Sequence, residues 1–269
     1  MKRKILGESI LYVIIHVMIQ MLILFLGPAI YTYSKSPLDW DTWIKGHQLI
    51  LTVIGWFVLC FILWLIYRLN RQKFWLETKL SETVSVITIG ICIICGVGMN
   101  LFVNGFLWLL PLGEMFPEYG QVIERIINQP FFITLLLAGI ITPIMEEIFY
   151  RGILLGKLRQ GFGVVVAIGI QALFFGIGHM NLVQGIYACV MGILFGYVVI
   201  WTGSLYGAII LHVVINTTSI LWRHVIPFQP EGGELEILIL IGAALTIIGL
   251  WFISQTDKRE EQNMYTFKS

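Results

Sequence analysis

Two adjacent carboxylates, Glu146 and Glu147, stand near the end of an apolar run that begins around Pro130. A charge in hydrocarbon loses its water, so a membrane segment carries such a pair only where other groups answer it. Arg151 lies four residues after Glu147 and on a helix shares its face, which makes this pair a structural ion pair at the helix end. Glu146 is rotated about 100° from Glu147 and needs a partner from another segment. The candidates are His179, His212 and Asn216, of which the last two are four apart and project from one helix face. A carboxylate, two imidazoles and a carboxamide that meet in a bundle core can hold and activate a water. Glu146 or His179 can take its proton, and His212 and Asn216 can donate hydrogen bonds to an oxyanion. Glu146, His179 and His212 are also ordinary zinc donors, which leaves zinc open as a cofactor.

A solitary histidine or asparagine in a membrane span more often makes an interhelical hydrogen bond than does chemistry. His16, Gln20, Asn100, Gln171 and Gln184 are assigned to that role. For Glu146, His179 and His212 together the balance reverses, because three titratable groups in three spans need a polar cavity to serve.

The elements that carry these residues follow from hydropathy. The chain is 58% hydrophobic and only 12% charged, about half the charge of an ordinary soluble domain. Its apolar runs have the length that crosses a bilayer. The expected fold is an all-α polytopic transmembrane helical bundle of about eight spans, near 9–31, 48–68, 83–104, 131–156, 163–180, 183–201, 205–222 and 236–254. No small-residue cleavage site follows Lys2-Arg3-Lys4, so the first run is read as a span and not a signal peptide. With the N-terminus inside, 13 lysines and arginines fall on the cytoplasmic side and four (Lys35, Lys45, Arg125 and Arg223) on the other. This positive-inside bias places both termini in the cytoplasm. Trp40, Trp43, Trp108 and Trp222 fall near the expected interfaces.

The 104–130 stretch is the longest outer loop, and its part from about 119 to 129 is expected to form an interfacial helix. The chain divides into 1–130 (three spans and the outer loop), 131–256 (a core of spans four to eight) and a polar tail at 257–269. Cys60, Cys92, Cys95 and Cys189 all lie in apolar runs and read as buried small residues, although Cys92 and Cys95 form a C-x-x-C. Gly192-x-x-x-Gly196 allows a close helix contact.

One geometric tension arises. Measured from the cytoplasmic ends of their spans, His212 is about 10 Å deep, Glu146 about 15 Å and His179 about 24 Å by helical rise. A later start to span five, after the flexible Gly161 and Gly163, would bring His179 level, and Pro143 is placed to kink span four.

The three motifs Glu146-Glu147-x-x-x-Arg151, Phe175-x-x-x-His179 and His212-x-x-x-Asn216 occur in order and without departure. Together they resemble the CAAX-protease and bacteriocin-processing (CPBP) family of intramembrane proteases, also called the Abi family, over about residues 140–220. The resemblance implies a helical bundle whose cavity opens towards the cytoplasm, and hydrolysis of peptide bonds at or in the membrane. It implies that Glu146 and His179 activate the water, that His212 and Asn216 bind the oxyanion, and that Glu147 and Arg151 are structural. Members are described both as glutamate-dependent and as zinc-dependent, and under zinc Glu147 could serve as the base. The implied partners are a membrane-associated peptide or protein and the lipid bilayer, with no role for nucleic acid. The short loops and inner positive clusters fit a bacterial plasma membrane. The competing reading is a non-catalytic carrier or scaffold, although the repeated halves and broken helices of a carrier are not apparent.

Overall fold

A computed structural model describes residues 1–110, 112–225 and 232–256. The expected polar tail at 257–269 and Pro111 lie outside these. Among the described residues the chain is helical, with no strand. Seven helices are long and apolar enough to cross a membrane, and Val164–Gly178 is a shorter apolar eighth. This matches the expected all-α bundle. Large apolar side chains such as Met18, Phe25, Phe61 and Ile247 point outward, as a bilayer solvent permits.

The spans run α1 (Lys2–Ser34), α2 (Trp40–Leu69), the short α3 (Phe74–Glu77), and α4 (Val86–Leu109). After the short α5 (Leu112–Met115), the amphipathic α6 (Pro117–Ile127) forms where an interfacial helix was expected. Pro117 opens α6, and its apolar residues pack Tyr119 against Val183 and Tyr187. Span four is one helical rod from Phe131 to Arg159. It is built from α7 (Phe131–Thr134), a π segment Leu135–Ile141, α8 (Thr142–Glu147), a second π segment Ile148–Leu154, and α9 (Leu155–Arg159). Then come α10 (Val164–Gly178), α11 (Leu182–Thr202), α12 (Tyr206–Val225) and α13 (Gly233–Ser254).

Span five begins at Val164, directly after Gly163, and so does not start late as the depth argument suggested. Gly161 sits against Ile5 of α1, which holds the approach to α10 in place. Met180 adopts a left-handed backbone with φ 51°. The Asn181 side chain caps α11 by accepting the Gln184 N–H at 3.1 Å. His179 therefore stands at the very end of its helix.

Small residues set the helix spacing. A Cβ on Gly192 would meet Ala172, and one on Gly196 would meet Ile168 at 3.0 Å, so the Gly-x-x-x-Gly pair draws α11 onto α10. Gly98, Gly242 and Gly249 do the same between α4 and α13. Gly249 faces Cys95, which is fully buried, as is Cys92.

Candidate active site

The two carboxylates are held on the single helical turn between two π segments. Pro143 explains the first of these. It has no N–H, and its ring crowds the preceding turn. The Thr142 N–H reaches back five residues to the Leu137 carbonyl. The next residue is the proline, so the Ala138 carbonyl is left without a donor from its own helix. The Asn216 amide donates to it at 3.1 Å. Pro143 thus produces a π segment where the sequence suggested a kink, and the freed carbonyl ties span four to α12. Such segments recur where a helix carries a functional site.

Glu147 is fully buried and accepts from Arg151 at 2.9 Å, with the arginine side chain equally inaccessible. The guanidinium lies over the Phe175 ring, 4.1 Å from its centroid, and 5.1 Å from that of Phe195. Planar delocalised charge suits such a slot better than an ammonium would. The expected Glu147–Arg151 pair is therefore present. It has a third member, because the same Glu147 oxygen lies 2.7 Å from His212 Nδ1.

A carboxylate accepts, so His212 Nδ1 carries a proton and donates it to Glu147. Its other nitrogen, Nε2, faces Glu146 Oε2 at 3.7 Å. That is beyond a hydrogen bond but within strong electrostatic reach. The partner that Glu146 needed is His212. His179 Nδ1 lies 2.9 Å from the Phe175 carbonyl, which can only accept, so here too Nδ1 bears a proton and Nε2 is left facing away from this bond. Phe175 lies level with His212, their ring centroids 5.9 Å apart, and His179 stands one turn beyond.

Glu146, His179, His212 and Asn216 line one cavity of about 290 Å³. It is closed below by the Arg151 layer and walled by α4, α6, α11 and α12. The sequence reading missed several of its residues. Asn104 lines it and donates to the Asn100 carbonyl at 3.1 Å and to Ser219 Oγ at 2.9 Å. Its spacing four after Asn100 was the available signal. Arg223 and Gln184 also line the cavity. Arg223 lies seven residues after Asn216 on the same α12 face, a periodicity that could have been followed outward.

Of the residues assigned to interhelical bonding, Asn100 donates to the Ile215 carbonyl at 2.9 Å and Gln20 to the Thr52 carbonyl at 3.4 Å. Buried His16 stacks on Trp56, ring centroids 4.3 Å apart. Gln171 is buried with neither side-chain end paired.

The donor types fit a metal, since His179 and His212 each give one ring N–H to an oxygen and keep the other nitrogen open, as metal-bound imidazoles do. Their placement does not: among the described residues no three His, Cys, Asp or Glu side chains group closely enough to hold an ion. No step below is routed through a metal.

Comparison with known proteins agrees with the motifs. Residues 128–218 match the family model described as type II CAAX prenyl endopeptidase Rce1-like. The match agrees with the resemblance to the CPBP family. It runs from just before span four to the Asn216 region of α12 and so contains all three motifs. No curated protein and no solved structure matches the chain. Over this stretch the chain is similar to CAAX-type proteases, and its seven long apolar helices mark a multi-pass membrane protein in contact with lipid.

Proposed function

We propose that the protein is an intramembrane endopeptidase that hydrolyses a membrane-associated peptide or protein with a water activated by Glu146. The observation that carries this reading is the convergence of Glu146, His179, His212 and Asn216 on one cavity. Four polar side chains from three spans are costly in hydrocarbon unless a shared pocket uses them.

Glu146 is the general base: it takes a proton from the water as the oxygen adds to the peptide carbonyl. His179, with Nδ1–H fixed on Phe175, offers Nε2 as a second acceptor that orients this water. The tetrahedral oxyanion needs donors. Asn216 spends one amide N–H on Ala138 and has a second to give. His212 spends Nδ1–H on Glu147, so to donate from Nε2 it must carry both protons. Collapse of the intermediate returns the proton from Glu146 to the leaving amine. Glu147 and Arg151 position His212 and do not touch substrate. A bacterial plasma membrane is the setting that the charge pattern supports.

The test is turnover of a peptide library by the purified protein in liposomes, with products read by mass spectrometry. Wild type should cleave, and Glu146→Ala should fold normally and lose nearly all turnover. Zinc, proposed on donor chemistry alone through Glu146, His179 and His212, is tested in the same assay. Chelator-resistant turnover by metal-free protein supports the glutamate mechanism. Loss on chelation with recovery on adding zinc would replace it.

A further inference from the structure

We propose that the site is served from the membrane face opposite the one bearing the terminal positive clusters, so that its substrate is a peptide segment presented on the extracytoplasmic side. This rests on the endopeptidase reading for the word substrate, but its geometry stands independently.

Contacts sort the helix ends into two faces. On one, Lys157 of α9 pairs with Glu8 of α1, the Leu205 N–H bonds the Lys79 carbonyl at 3.4 Å, and Thr256 bonds the Trp201 carbonyl at 3.2 Å. On the other, Gln129 bonds the Lys45 carbonyl at 2.7 Å, and Trp108 meets Trp222 with centroids 5.7 Å apart. Among the described residues the first face carries Lys2, Arg3, Lys4, Arg68, Arg71, Lys73, Lys79, Lys157 and Arg159, besides the buried Arg151, and the second the four that the sequence placed outside. By the positive-inside bias the first face is cytoplasmic.

The cavity extends to the second face and ends short of the first. Along α12 its wall runs from His212 outward to Arg223 and His224, and along α11 from Phe195 outward to Gln184. α6, an interfacial helix of that face, supplies Tyr119, Ile123 and Ile126. Towards the first face the floor is closed. Arg151 and Glu147 fill it between the Phe175 and Phe195 rings, and Tyr150, Leu154, Leu155 and Leu158 are all buried behind them. A chain coming from the cytoplasm would have to displace a buried ion pair and a packed core. The resemblance implied a cavity open to the cytoplasm, and here the two expectations pull apart: the packing and the charge sorting together favour the other face. The supply step that this requires is export of the substrate segment across, or its anchoring in, the outer leaflet.

Single cysteines in a background with the four native cysteines replaced test the proposal. Ile123→Cys reports the cavity wall, Glu118→Cys the surface of α6, and Gln72→Cys the loop between α2 and α3. In intact expressing cells a membrane-impermeant maleimide should label positions 118 and 123, and position 72 should label only in inside-out vesicles. The reverse pattern would overturn the proposal. So would labelling at position 118 in intact cells with position 123 reachable only from inside-out vesicles, because the cavity would then open to the cytoplasm. The labelling is repeated in Glu146→Ala. If the pattern holds while no variant or wild type cleaves peptide, the endopeptidase reading fails and the orientation stands.

Discussion

Among the described residues Arg151 is the largest fully buried side chain, and both its charge and its flat face are matched. It neutralises Glu147, which fixes the His212 ring, and its plane lies over Phe175. Removing one member of a buried pair leaves the other charge unanswered, at a cost of about 3–5 kcal/mol. Arg151→Ala should therefore lower the unfolding temperature and the amount of folded protein along with activity. Arg151→Lys should recover little, because an ammonium cannot reproduce the flat contact with the ring. If thermal unfolding of Arg151→Ala in detergent matches wild type while turnover is lost, the arginine acts on substrate and the structural assignment fails.

The element that deserves the most direct test is the π segment before the carboxylates. Pro143 removes a donor, the Ala138 carbonyl is freed, and Asn216 answers it. Asn216 then has two separable duties. Asn216→Ala should cost about 1–3 kcal/mol for the unsatisfied carbonyl and roughly 10²–10³ in rate for a lost oxyanion donor. Adding Pro143→Ala restores a backbone N–H that can serve Ala138. The double variant should regain stability but not turnover. Recovery of both by Pro143→Ala would mean that Asn216 has only the structural duty. The N-terminus of α2 offers a simpler case outside the membrane. Asp39 accepts from the Thr42 N–H at 3.0 Å, and this bond holds its carboxyl below the usual aspartate range. The cap is kept above the unfolded pKa of Asp39 and is lost as pH falls through the lowered folded value. Asp39→Ala should fray the start of α2, seen as faster amide exchange over residues 40–43 with activity unchanged.

At the scale of the whole molecule, the cavity depends on helices that carry no motif. α4 packs along α13 through Gly98, Gly242 and Gly249, where a Cβ on Gly249 would come within 2.6 Å of Cys95. It also presents Val103 and Asn104 to the cavity. Gly249→Val lies at the face away from the cavity and should push α13 from α4. The expected outcome is a lower unfolding temperature with kcat per folded molecule preserved. A variant as stable as wild type would show that the close approach of these helices is not needed for the bundle.

Much of this was legible in the sequence because hydrocarbon is an unforgiving solvent. It forces backbone groups into helices, sorts charge to the ends, and makes each buried ionisable residue conspicuous, so Glu146, Glu147, Arg151, His179, His212 and Asn216 could be picked out by cost alone. The Glu147–Arg151 pair was readable because it lies within one helix at a four-residue spacing. The link from Glu147 to His212 was not, since it spans 65 residues and depends on how two helices are rotated against each other. The same holds for the bond between Asn216 and Ala138, which needs a π register that local propensity does not signal. Arg223 read from the chain as an outer-side charge at a span end, and only the packing of α4, α6 and α12 turned it into a cavity residue. Which face the cavity meets was likewise beyond the motifs, because it is set by where bulky side chains close the floor. Sequence by itself determined the groups that must meet. Tertiary structure decided their pairings, because rotation and register between helices are fixed by side-chain packing across the whole bundle.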